Sequence, residues 1–131
     1  MQQIVNFLMY YGQAEEAMNF YMSLFPGSEV VSITKYGANQ HGAEGTVQHA
    51  TFTLGDQQFM CIDSPVKHAF DFTPSMSLWI NCASEAEVDR LFEALSDGGS
   101  VLMSLGTYPF SKRYAWLNDK FGVSWQLSYN P

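Results

Sequence analysis

The sequence predicts an α+β fold: two tandem βαβββ modules forming a partly closed, cupped β-barrel with the helices outside. Three observations carry this. The order strand, helix, strand, strand, strand occurs twice along 131 residues. Matched positions recur at a nearly constant spacing, the mark of an internal repeat. Each unit has one helix, which covers one face of a four-stranded sheet and leaves the other to be buried elsewhere.

The elements follow in order. IVNFLMYY (4–11) is an apolar and aromatic strand. From Gln13 to Phe25, Ala14, Ala17, Met18, Tyr21 and Leu24 stand at helical spacing, and Pro26-Gly27 stops the helix. EVVSITKY (29–36), TVQHATFTL (46–54) and QFMCID (58–63) read as strands, the last two joined by a tight Gly55-Asp56 turn. After the loop SPVKHAFDFTP (64–74), SMSLWINCA (75–83) opens the second unit as a strand. Ser84 and Glu87 form a capping box for a helix whose Val88, Leu91, Phe92 and Leu95 share one face. Gly98-Gly99 ends that helix, and SVLMSL (100–105), KRYAWL (112–117) and VSWQLSY (123–129) complete the set.

A shift of 71 residues pairs Phe7 with Leu78, Met9 with Ile80, Ala17 with Val88 and Gly27 with Gly98. Near the repeat ends the shift grows to 73, pairing Thr53 with Gln126 and Leu54 with Leu127. The chain thus divides as one domain, 1–131, with a first module at 1–63, a linker at 64–74 and a second module at 75–131.

Composition narrows the function. Hydrophobic residues make up 47% and aromatics 15%, which argues for a folded core. Six basic against thirteen acidic residues give a net charge of −7, which disfavours nucleic acid and anionic membranes as partners. No apolar run approaches the roughly 18–20 residues that span a bilayer. MQQIVNFLMYYGQAEE lacks a basic n-region and a cleavage site, so a cytoplasmic protein is expected. Cys61 and Cys82 sit in apolar runs without metal-type spacing. Reduced core thiols are the first reading, a disulfide or a reactive thiol the other.

Strand alternation then sorts the faces. Phe7 and Met9 are expected against the first helix, leaving Asn6, Leu8 and Tyr10 on the concave side. Ala50, Phe52 and Leu54 pack under that helix, so His49, Thr51 and Thr53 look inward. Leu78, Ile80 and Cys82 meet the second helix, and Ser77, Trp79 and Asn81 face the cavity. Tyr114 and Trp116, with Ser124, Gln126 and Ser128, line it as well. The candidate ligand-binding residues are therefore Asn6, Leu8, Thr51, Thr53, Ser77, Trp79, Tyr114, Trp116 and Gln126. Aromatic walls with a few uncharged donors and acceptors suit a small-molecule site, although the same polar groups can satisfy one another around water. His49 is the candidate for acid–base chemistry, with a hydrogen-bonded structural histidine as the alternative.

At this point the chain resembles the vicinal-oxygen-chelate superfamily, which includes glyoxalase I, extradiol dioxygenases and the fosfomycin and bleomycin resistance proteins. FLMYYGQAEEAMNFYMSLFPGS, FTLGDQQFMCID and WLNDKFGVSWQL resemble its PhnB-like branch, labelled 3-demethylubiquinone-9 3-methyltransferase-like. The resemblance implies a cupped site, a homodimer and, in metal-dependent members, His or Glu ligands from four inward strand positions. Matched residue by residue, those positions hold Asn6, Thr53, Ser77 and Gln126, so no metal or other cofactor is expected. Methyl transfer is not expected either, because the Gly98-Gly99 pair follows a helix and precedes a strand. The reading is a metal-free binder of a small, partly planar organic molecule. The alternatives are an isomerase, lyase or related enzyme acting on a small carbonyl compound through His49 or a recruited divalent metal, and a scaffold for self-association.

Overall fold

The computed structural model describes residues 2–131. Their order is β1 (Asn6–Tyr10), α1 (Ala14–Leu24), β2 (Glu29–Lys35), β3 (Val47–Leu54), β4 (Gln57–Asp63), β5 (Leu78–Asn81), α2 (Glu85–Ser96), β6 (Ser100–Tyr108), β7 (Ser111–Asn118) and β8 (Ser124–Tyr129). The fold is α+β, with the βαβββ unit present twice. The chain forms two compact units, one ending at His68 and the next beginning at Ala69. Among the described residues no helix is long and apolar enough to cross a membrane.

The first unit is a four-stranded sheet in the order β1-β4-β3-β2, with β1 parallel to β4 and the other neighbours antiparallel. Ala14, Ala17, Met18 and Tyr21 are the buried stripe of α1. On the sheet, Ala50, Phe52, Phe59 and Cys61 are equally buried, and Phe52 stacks on Phe59 at 5.4 Å. Gln13 gives α1 no side-chain cap. The cap comes instead from Asp63 at the end of β4, whose Oδ1 accepts from Ala14 N at 3.0 Å and Oδ2 from Val47 N at 2.9 Å. One carboxylate thus ties helix start, β3 and β4 together, and its charge favours the positive end of the helix dipole.

Between β2 and β3, Tyr36 is buried and its hydroxyl donates to Asp63 O at 3.2 Å. Gly42 lies against that ring so closely that a Cβ there would come within 2.2 Å of it. His41, in the same loop, is exposed.

The faces of β1 are the reverse of the sequence expectation. Tyr10 Oη lies 3.2 Å from Tyr21 Oη on α1, and Leu8 and Tyr10 are 8% and 6% exposed, whereas Phe7 is 49% exposed. Asn6, Leu8 and Tyr10 therefore share the α1 side with Phe59, Cys61 and Asp63, their register partners. NFLMY is apolar on both sides of its alternation, so periodicity separates two sets without saying which set meets the helix.

The second unit repeats the arrangement in the order β5-β8-β7-β6. Ser84 Oγ accepts from Glu87 N at 3.1 Å, and Glu87 Oε1 accepts from Ala83 N at 3.1 Å, a capping box shifted by one donor. Val88, Leu91 and Leu95 are buried along with Ala115, Leu117, Trp125 and Leu127 of the sheet. Each buried Val or Leu among them contributes about 1.5–3 kcal/mol by its burial. The helix stops at Gly98, whose φ of +76° closes it into β6.

Registers also revise the repeat. β1 pairs parallel with β4 as β5 pairs with β8, so β4 matches β8. Thr53 stands on β3, the counterpart of β7, and is not the repeat partner of Gln126. The long loop between β2 and β3 has only a two-residue counterpart between β6 and β7, so the spacing shrinks along the repeat instead of growing.

Candidate functional site

The second sheet turns Leu78, Ile80, Trp125, Leu127, Ala115 and Leu117 toward α2, so alternation sends the other set to its open face. There Trp79, Gln126, Trp116 and Met103 form one cross-strand row, from β5 through β8 and β7 to β6. Ser124 and Asn118 lie in the row on one side, Asn81, Ser128 and Tyr114 in the row on the other. Five candidates, Ser77, Trp79, Tyr114, Trp116 and Gln126, thus come together in this unit, as alternation predicts.

Most of the polar groups are already engaged. Tyr114 Oη donates to Gln126 Oε1. Trp116 Nε1 donates to Ser124 Oγ at 2.9 Å, and Ser124 Oγ is 2.8 Å from Ser77 Oγ. Trp79 Nε1 donates to Asn81 Oδ1 at 2.9 Å. Ser128 Oγ is 2.7 Å from Ser111 Oγ. Asn118 Oδ1 is a buried acceptor with no partner among the described residues. Burial, followed by the nearby Tyr108, raises the Tyr114 phenol above its usual pKa, which keeps it a neutral donor.

Tyr114 is also the centre of an aromatic group. Trp79 lies 5.9 Å from its ring, and Tyr108 and Phe110 meet it edge-on at 5.4 and 4.8 Å. Trp79 and Phe110 remain 47% and 53% exposed while Tyr114 is 2% exposed. Tyr108 and Phe110 escaped the sequence reading because the strand signal of β6 fades after Leu105. The Tyr-Pro-Phe turn that follows was the available clue.

On the first sheet, Thr51 and Thr53 share the open face with His49, which stands opposite Thr34. Thr53 Oγ1 accepts from Glu29 N at 3.2 Å and so helps to hold the edge strand β2. Phe7, Met9, Met60 and Ile62 occupy this face in place of Asn6 and Leu8, which the structure puts on the α1 side. The alternation of QFMCID, with Phe59 and Cys61 inward to the helix, already marked Met60 and Ile62.

On the open faces the first and last strands offer Phe7, Met9, Gln58, Met60 and Ile62 in one unit, and Ser77, Trp79, Ser124 and Gln126 in the other. None is an imidazole, thiolate or carboxylate, which N/O metal sites require. Among the described residues no three His, Cys, Asp or Glu side chains lie close enough to share an ion.

His68 Nε2 is 3.1 Å from Ser64 Oγ, a local contact in the linker. Asp119 accepts from Phe121 N, Val123 N and Trp125 Nε1 at 2.8, 3.1 and 2.8 Å. A wide groove of about 980 Å³ runs along α2, lined by Asp89, Phe92, Glu93, Asp97 and Leu105. Its walls are α2 and Leu105 of β6, and it includes none of the open-face candidates.

Comparison with known proteins adds a lineage. The PhnB protein of Bacillus cereus is 60% identical over 98% of this chain and all of its own, with a TM-score of 0.96. PA1353 from Pseudomonas aeruginosa is 29% identical over 99% of this chain and 98% of its own, with a TM-score of 0.87. A glyoxalase-related enzyme from Fulvimarina pelagi shares the fold at 17% identity and a TM-score of 0.65, over 100% of this chain and 90% of its own. Among the curated proteins none matches. The model of the 3-demethylubiquinone-9 3-methyltransferase family matches residues 2–128. The chain belongs to that PhnB-like 3-demethylubiquinone-9 3-methyltransferase family.

Proposed function

We propose that the chain binds a small, partly planar organic molecule without a metal, on the open face of its second sheet. One observation carries the reading: Trp79, Gln126 and Trp116 stand in a single row beside Tyr114, aromatic planes alternating with an uncharged amide. Such a surface contacts a flat apolar body, while Gln126 and Ser77 fix a polar edge. The hydrogen bonds among these side chains hold the rings in place before a ligand arrives, which lowers the ordering cost of binding.

Methyl transfer is not carried over from the family's label. Gly98 closes α2 with a positive φ, so the glycine pair serves as a helix end. Two free, buried cysteines support a reducing compartment, the cytoplasm. The family relationship supports a homodimer.

Native against denatured mass spectrometry of freshly purified, untagged protein tests the reading. The expected result is an organic mass that leaves on denaturation, without stoichiometric divalent metal. One divalent ion per chain would overturn it. Turnover of a small carbonyl compound that His49→Ala abolishes, with the fold intact, would replace it with the enzyme.

A further inference from the structure

We propose, on the basis of that reading, that the ligand carries an alkylated ammonium group, held between Trp79 and Phe110 over Tyr114. The strand order brings these rings from opposite sides: Trp79 comes from β5, beyond β8, and Phe110 from the turn between β6 and β7. Asn130 pins that turn, its Nδ2 donating to Phe110 O at 3.1 Å and its Oδ1 accepting from Lys112 N at 3.0 Å. The result is two half-exposed rings flanking a buried third at 5.9 and 4.8 Å.

The sign of the charge follows from what this face leaves available. The aromatic donors are spent inside: Trp79 on Asn81, Trp116 on Ser124 and Tyr114 on Gln126. Trp79 and Phe110, 47% and 53% exposed, are the rings a ligand can reach, and an aromatic face attracts a cation within about 6 Å of its centroid. The cations of these four strands are Lys112 and Arg113, and both turn to carboxylates of α2, Glu85 at 3.8 Å and Asp89 at 2.8 Å. An anionic ligand would therefore meet no counter-charge on the face, and the chain's net charge of −7 repels it at longer range. With no carboxylate on the face, a strongly hydrated primary ammonium would go uncompensated for its lost water. An alkylated ammonium, with less hydration to lose, suits an aromatic surface that carries no charge.

The test is a matched pair of probes followed by NMR at the Trp79 indole N–H: choline chloride, against a sodium chloride control, and its uncharged isostere 3,3-dimethylbutan-1-ol. Choline is expected to bind about tenfold more tightly than the isostere, the scale of a well-placed cation–π contact. Phe110→Leu keeps apolar bulk and removes a ring face. It should lower choline binding far more than binding of the isostere, erasing most of that preference. Equal binding of both probes would overturn the cationic assignment and leave the face as a small-molecule surface. Binding of neither would overturn this site, whereas the broader reading stands or falls on the mass spectrum of the purified protein.

Discussion

Asp119 sits in the turn between β7 and β8, 3% exposed, with both oxygens engaged by two backbone N–H groups and the indole of Trp125. Removing such a carboxylate strands three donors, two of them in buried backbone or ring, so Asp119→Ala should lower the unfolding free energy by about 3 kcal/mol or more in urea titration. The turn motif Asn-Asp-Lys-Phe-Gly was legible in the sequence, but the bond to Trp125 was not, because it depends on the rotamer of a side chain in the core. The cysteines give a second test at this scale. Burial first, then the charge of Asp63 for Cys61 and of Glu87 for Cys82, pushes both thiols from about 9 up to about 12. The fold therefore keeps these protons between pH 9 and 12 while the unfolded chain releases them. Their contribution to stability is complete below pH 9 and falls as pH rises through that window. Native protein should resist a thiol reagent at pH 8, and replacing both cysteines by alanine should flatten the alkaline decline in Tm.

The two helices are built alike and capped differently. α2 is capped by its own neighbours, Ser84 and Glu87, so Ser84→Ala should cost about 1 kcal/mol, measured by thermal unfolding. α1 takes its cap from Asp63, far along the chain at the end of β4. Both helices were legible from the spacing of their apolar residues, but only the local cap could be read in advance. At the join of α2 and β6, Gly99 approaches Asn118 so closely that a Cβ would lie 2.0 Å from its carbonyl oxygen. Backbone is the obstacle there, so Gly99→Ala should shift the pairing of β6 with β7 and lower Tm by several degrees. The strands themselves followed from alternation. The end of β6 did not, since its register against β7 shifts repeatedly before Tyr108.

For the whole molecule, repetition made the plan readable and also misled. Two βαβββ units are visible in the order of patterns, yet a constant or growing spacing paired Thr53 with Gln126, because the long loop between β2 and β3 has no equal in the second unit. Two predictions belong at this scale. Trp79→Ala, at a half-exposed site, should leave the unfolding midpoint nearly unchanged and abolish ligand binding, which separates a surface for a partner molecule from core packing. Light scattering should return twice the 14.7 kDa chain mass if the homodimer forms, and the single mass would remove it.

The sequence by itself determined the order of the elements, the duplication, the helix ends at Gly27 and Gly98 and the polar row of Ser124, Gln126 and Ser128. These rest on local propensity and periodicity, which neighbouring residues set. Tertiary structure alone decided which face of β1 meets α1, where the α1 cap comes from and which hydroxyl answers which amide on the open face. The contacts that choose, Tyr10 with Tyr21, Asp63 with Ala14 and Ser77 with Ser124, join different elements. Alternation divides a strand such as NFLMY into two sets of side chains. Which set is buried depends on partners that the chain brings near only by folding.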